Sequence, residues 1–151
     1  MDILLILLTA ALGHLAGAYS FYFFHRYIFH GPLGRYPVLR EWRAMHTRHH
    51  ARPDDPGAFF FPWWANLIIW TIAAGMVWIV PAFGIGLFSF FGLYAHRHRL
   101  AHSGGKTRQS IHHMNHHTSS PRVNFSGPYP ILDKVLGTYE PIPIREVNNK
   151  R

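Results

Sequence analysis

The chain has 151 residues, 48% of them hydrophobic, with 15 Lys and Arg against 7 Asp and Glu and a formal net charge of +8. That length holds one domain and leaves no room for a second, and the absence of Cys excludes disulfides and metal sites built on thiolates. A basic balance can serve nucleic-acid binding, but every Lys and Arg lies in residues 26–52 or 97–151, while residues 3–24 and 59–95 contain no charged side chain. A soluble domain scatters its charges. Segregation around apolar runs is the pattern of membrane spans with a positive cytoplasmic face, and no nucleic-acid partner is expected.

The first apolar run, Ile3 to Phe24, reaches about 33 Å at 1.5 Å per residue, enough for a hydrocarbon core of roughly 30 Å. It opens on Met1-Asp2 and leads straight into histidines. It lacks the basic start and short apolar stretch of a signal peptide, so it reads as a retained span. Gly13 and Gly17 form a small-xxx-small pair, either a close-approach surface for another helix or two tolerated glycines. His25 and His30 follow as H-x4-H, ahead of Gly31-Pro32, which should stop the helix. On an ideal α-helix those two side chains lie about 140° apart. They should flank a site rather than share one stripe, unless the helix ends between them.

Residues 31–58 are polar, with Leu39 to Ala51 as a short helix carrying His46-Thr47-Arg48-His49-His50. Positions i, i+3 and i+4 put its three imidazoles on one face. Pro53-Asp54-Asp55-Pro56-Gly57 is a turn by composition, and Phe59-Phe60-Phe61-Pro62-Trp63-Trp64 is an aromatic belt at the membrane interface. The run from Phe59 to Ala95 is too long for one span and suits a hairpin turning at Pro81. The expectation is therefore three spans at about 3–30, 60–80 and 82–102, with cytoplasmic segments at 31–58 and 103–151 and the N-terminus outside. That count puts every Lys and Arg on one side of the membrane.

The third span carries His96, His98 and His102, of which His98 and His102 share a face, and ends at Ser103-Gly104-Gly105. A short segment then delivers His112 to His117, repeating H-x-x-H-H at 113–117. The tail, with Pro121, Pro128, Pro130, Pro141 and Pro143, reads as loop. Asn124-Phe125-Ser126 matches a glycosylation sequon but falls on the cytoplasmic side, where it goes unused.

Ten of the 13 histidines fall into four groups with ligand-like spacing: His25 and His30; His46, His49 and His50; His98 and His102; His113, His116 and His117. Imidazole suits Zn, Cu, Fe and Ni. One structural zinc needs four ligands, so ten fill two metals with four or five nitrogens each. A dinuclear centre can activate oxygen against a C–H bond. The soluble version of that chemistry uses Glu and Glu-x-x-His motifs in a helical bundle. Here no acidic residue lies inside a span and only Glu41 is near a histidine group, so the site on offer is all nitrogen. There is no H-E-x-x-H, no Walker loop and no GxGxxG. A lone interfacial histidine is ordinarily a solvated or hydrogen-bonded residue, which is the reading for His14, His96 and His112. The competing class is a non-enzymatic membrane metal protein. A transporter would place ligands near the bilayer midplane, whereas these lie at span ends and in loops. A structural zinc site stapling the helices stays open.

The order of these boxes around an apolar hairpin resembles the fatty acid hydroxylase/sterol desaturase superfamily of integral-membrane di-iron oxygenases. Asn124-Phe125-Ser126, Pro130, Asp133 and Gly137-Thr138 are similar to the tail that follows the last box in that family, with Ser126 where Gly is expected. The 15-residue gap between His30 and His46 fits the fatty acid/sterol branch better than the related carotenoid hydroxylases. The resemblance implies an all-α integral-membrane bundle of about three transmembrane helices, with short cytoplasmic helices carrying a dimetal site, in a single domain over 1–151. It implies two iron ions on the ten histidines, with zinc as the substitute expected in a purified sample. It further implies hydroxylation or desaturation of a lipid such as a fatty acyl chain or sterol, with O₂ and an external electron donor of ferredoxin or cytochrome b5 type. The small size points to a bacterial inner membrane. An acyl chain entering between helices would meet Phe83, Phe88, Phe90 and Phe91, unless these are ordinary lipid-facing surface.

Overall fold

Ile3 to Phe23 forms one long helix, α1, whose start Asp2 caps by accepting the Leu4 N–H at 3.0 Å, satisfying one of the orphan donors of the first turn. This computed structural model describes residues 2–56, 62–127 and 129–141, which contain helices and no strand. α1 runs on into a π-helical turn at Phe24–Phe29. Together Ile3–Phe29 is the one helix among the described residues long and apolar enough to cross a membrane. It is no buried core helix, since Ile3, Leu4, Leu7, Leu8, Leu12 and Leu15 are all exposed. Two 3₁₀ turns, Pro32–Arg35 and Pro37–Leu39, lead to α2, Arg40–Ala51.

The apolar hairpin is α3, Trp63–Ile79, and α4, Pro81–His102, joined at Val80 with Pro81 as the first residue of α4. Pro suits that position because its missing N–H would have no helical partner there. α3 is apolar but shorter than a span, and the last two turns of α4 are polar. Large apolar side chains on α3 still face outward, with Trp78 at 90% exposure. Of the expected aromatic belt, Phe59 to Phe61 lie outside the described residues and Trp63 is exposed. α5, Arg108–Thr118, is capped by Thr107, whose hydroxyl accepts the Ser110 N–H at 3.1 Å. α6 is a short helix, Pro130–Val135.

α1 and α4 touch backbone to backbone. A Cβ added at Gly13 would sit 2.0 Å from the Phe83 carbonyl oxygen, one at Gly86 2.0 Å from that of Ala10, and one at Gly17 2.8 Å from the Phe90 ring. The small-xxx-small pair is therefore a contact surface and not a pair of tolerated glycines. Above it Ala18, Phe21, Tyr22 and Phe90 close a core with Phe125 and Leu132 from the tail. Phe90 is 0% exposed, so it does not line a lipid-accessible groove; packing of the tail onto α1 and α4 has covered it. A second core, Ile28, Phe29 and Met45 with Leu33, Leu39 and Trp42 against it, seats α2 on the π turn.

The tail is not the loose loop expected from its prolines. Asn124 N–H donates to the Thr138 carbonyl at 2.8 Å and Thr138 N–H to the Asp133 carbonyl at 2.8 Å, while Tyr22 OH reaches Thr138 Oγ1 at 2.9 Å. Asn124 is buried, with its side chain bonded to Glu140, so the sequon is closed by structure. Tyr129 reaches as far down α1 as His14. The Ser89 hydroxyl donates to the Gly86 carbonyl at 2.7 Å, which leaves Ser89 Oγ to accept His14 Nδ1–H at 2.6 Å and Tyr129 OH to donate to His14 Nε2. His14 is thus the hydrogen-bonded residue its isolation suggested, and His96 is exposed.

Candidate metal centre

Four helical segments converge at one end of the α1–α4 pair, and each brings histidines. The ten predicted ligands separate into two groups of five: His25, His30, His46, His50 and His116 in one, and His49, His98, His102, His113 and His117 in the other. Within each group the candidate ligand nitrogens all lie within 4.8 Å of one another.

The division explains the spacing of each box. On α2, His46 and His50 are i and i+4 and both enter the first cluster, while His49 enters the second. On α5, His113 and His117 are i and i+4 and both enter the second cluster, while His116 enters the first. Each box lies between the clusters, giving an i, i+4 pair to one and its third imidazole to the other. Each cluster is completed by a pair from a long helix. His98 and His102 supply it on α4 at ordinary i, i+4 spacing. His25 and His30 are five apart, which an α-helix would rotate by about 140°. The chain neither keeps that rotation nor ends the helix between them. It widens into the π turn, with His30 N–H donating to the His25 carbonyl at 3.1 Å. That i→i+5 bond stacks residues five apart on one side, and π turns of this kind recur at functional sites.

The geometry tests what such clusters can hold. In the first, Nε2 of His46 lies 3.1 Å from that of His25, 2.8 Å from that of His30 and 3.1 Å from that of His50, and Nε2 of His116 lies 3.1 Å from that of His30. In the second, Nε2 pairs at 3.2 Å for His98 and His49, 3.0 Å for His102 and His113, and 3.2 Å for His117 and His113. A ring nitrogen carries either one proton or one lone pair, so His46 cannot hydrogen-bond three neighbours at once. A cation can satisfy them together: at metal–nitrogen distances of about 2.0–2.1 Å, adjacent ligand nitrogens on a coordination polyhedron stand about 3 Å apart. The donor set fits a metal in each cluster.

Outer contacts fix the rings. His25 Nδ1–H donates to the Phe125 carbonyl at 2.6 Å and His116 Nδ1–H to that of Val123 at 2.6 Å. A carbonyl only accepts, so in both neutral rings Nε2 keeps its lone pair, turned inward. The cluster histidines of α2 and α5, His46, His49, His50, His113, His116 and His117, are held neutral. Burial lowers His49 to about 3, His50 to about 4 and His116 to about 3, and neighbouring imidazoles push the same way. His46, His113 and His117 are also driven far below their ordinary value, first by burial and then by adjacent histidines. Neutral imidazole is the ligating form.

His112, set aside in the sequence as a solitary histidine, is buried and donates Nε2–H to Asp133 Oδ2 at 3.0 Å. Asp133 also accepts the N–H groups of Phe125 and Ser126 and the hydroxyls of Ser126 and Thr138. Burial alone would raise its carboxyl; these donors, His112 foremost, outweigh burial and hold it below its ordinary range. The only sequence signal for this pair was the Asp133 position in the tail pattern. Beside the second cluster, a small cavity is lined by Tyr94, Arg97, His98, Gln109, His113 and Gly127.

Comparison with known proteins gives one family. A family model described as fatty acid hydroxylase matches residues 10–138. No curated protein and no solved structure matches the chain.

Proposed function

We propose, for a chain that belongs to the fatty acid hydroxylase family, that it is a membrane-bound di-iron oxygenase acting on an unactivated C–H bond of a lipid such as a fatty acyl chain or sterol. The observation that carries this reading is the pair of five-histidine clusters, each drawing on both H-x-x-H-H boxes. His25, His30, His46, His50 and His116 would hold one iron, and His49, His98, His102, His113 and His117 the other. Iron bound there supplies redox chemistry that couples the reduction of O₂ to oxidation of a C–H bond. Hydroxylation places one oxygen atom in the substrate and releases the other as water, with two electrons from an external donor of ferredoxin or cytochrome b5 type.

The chain's own contribution is placement. α1, α3 and α4 serve as three spans, with the N-terminus outside and the clusters at the cytoplasmic face; the segregated Lys and Arg support that orientation. The clusters then sit where an acyl chain can reach them from the bilayer. Buried neutral imidazoles keep bulk water and protons away from the ligand nitrogens.

The test is lipid profiling of cells that express the wild type, His49→Ala or His116→Ala. New hydroxylated or desaturated lipids are expected only with the wild type. Identical profiles from all three, with metal content falling in the variants, would sink the oxygenase reading in favour of a structural metal site.

A further inference from the structure

We propose that Asp133 is a positioning residue for the metal site of His25, His30, His46, His50 and His116, acting through the peptide group between Phe125 and Ser126. This rests on the reading of the two clusters as metal sites. Asp133 is 0% exposed. Its Oδ1 accepts the Phe125 N–H at 2.8 Å and the Thr138 hydroxyl at 2.7 Å. Its Oδ2 accepts the Ser126 N–H at 3.0 Å, the Ser126 hydroxyl, and His112 Nε2–H at 3.0 Å. The Phe125–Ser126 peptide therefore has its N–H on the carboxylate while its carbonyl takes His25 Nδ1–H at 2.6 Å. A negative charge at the N–H end of a peptide makes its carbonyl a stronger acceptor, because linked hydrogen bonds polarise one another. That in turn raises the basicity of the inward Nε2.

The second braced ligand is tied to the same frame. Val123 O, which accepts His116 Nδ1–H, lies on the peptide whose Asn124 N–H donates to the Thr138 carbonyl. Thr138 is held to Asp133 by both its N–H and its hydroxyl. Asn124 adopts φ 58°, a left-handed turn that aims this strip of carbonyls, and its side chain is locked on Glu140. In the other cluster, the buried Nδ1 atoms of His49 and His117 have no hydrogen-bond partner among the described residues. One carboxylate thus acts on the carbonyls that hold two ligands of one site, and touches the other site only through His112 on α5, so the two sites should differ in affinity and in rigidity.

The experiment titrates full-length, detergent-solubilised, metal-free protein with Co(II), following stoichiometry and the visible ligand-field bands. Wild type should take two equivalents; fewer would overturn the two-metal reading itself. Asp133→Asn should weaken one equivalent by about 10- to 100-fold, the usual effect of losing an outer-shell partner, and change the other by clearly less. The site is identified in paired backgrounds. With His102→Ala present, Asp133→Asn should shift the remaining Co(II) bands and affinity; with His25→Ala present, it should shift both far less. Equal loss at both sites, or no loss at either, overturns the proposal. Should Asp133→Asn fail to fold by circular dichroism, Ser126→Ala carries the same test. It removes one hydroxyl donor and should weaken the same site by a few-fold, and an unchanged or evenly divided response overturns the proposal.

Discussion

Gly86→Ala tests whether the α1–α4 contact sets the position of the metal ligands. The added methyl would stand 2.0 Å from the Ala10 carbonyl oxygen and within 3.0 Å of the Ala10 carbonyl carbon. Ordinary contact begins near 3.4 Å, so the helices must part by about 1.4 Å. The obstruction is helix backbone, so no side-chain rotation relieves it. Overpacking of this kind costs about 1–3 kcal/mol. The consequence for the site is larger than for the fold, because α1 leads through the π turn to His25 and His30 of one cluster and α4 carries His98 and His102 to the other. A displacement of about 1 Å in a reactive geometry can cost about 100-fold in rate. Two glycines serve as internal controls: Gly92, also on α4, and Gly75, on α3, have nothing within 4 Å of an added Cβ. Changed to Ala, they should be neutral or raise stability by about 0.5–1 kcal/mol. The assay is thermal unfolding in detergent, with and without metal, together with metal content after desalting. Gly86→Ala should lower the midpoint and lose metal, and both controls should do neither. If Gly86→Ala matches Gly92→Ala in both readouts, close helix approach does not position the site.

The division of the histidines predicts stoichiometry. His25→Ala and His102→Ala should each lower bound metal from two ions per chain to one, and the double variant should bind none, as read by elemental analysis against protein concentration. Loss of both ions on either single change would mean one fused site. Acid should destabilise the metal-free fold in a defined window. His49, His50 and His116 are depressed to about 3, 4 and 3, against an ordinary value of 6.5. Between those values the unfolded chain binds protons that the folded chain refuses, so stability is full above about pH 6.5 and falls as pH drops toward 4. Melting temperature measured from pH 7.5 to 5 should decline, and a flat or rising trend would refute neutral clusters. Tyr22→Phe removes the hydroxyl between Arg26 and Thr138 and should cost about 0.5–1.5 kcal/mol in denaturant unfolding, with metal stoichiometry retained.

Much of the scaffold was legible from spacing. The two H-x-x-H-H boxes on short helices, the hairpin turning at Pro81 and the helix end at Ser103 follow from periodicity and from turn residues, which act over a few positions. What stayed hidden depends on how segments meet. Nothing in His46 to His50 says that His49 will part from its neighbours, because that is decided by α4 and α5 approaching from one side and the π turn from the other. The π turn is itself a tertiary product. Local preference favours an α-helix through Phe24 to Phe29, and the packing of Ile28 and Phe29 on Met45 sets the alternative winding. The tail is the clearest case. Its prolines and lack of period read as loop, yet one buried carboxylate orders it, and in sequence that carboxylate is a single Asp among seven acidic residues.

An all-imidazole centre poses a charge problem that the structure bears on. Ten neutral imidazoles would leave two divalent ions with their full charge, in a chain already rich in Lys and Arg, and a site's electrostatics must include the ion itself. Carboxylate ligands would offset that charge directly, and this chain has none in either cluster. What it has is a carboxylate one peptide group away from His25, set on the far side of a backbone carbonyl. Such an arrangement would let negative charge act on a bound metal through ligand basicity without occupying a coordination position. The two clusters then need not be equivalent. The one braced by the tail would hold its ion in fixed geometry, while the other, whose buried His98 and His113 line a small cavity with Tyr94 and Arg97, lacks that brace.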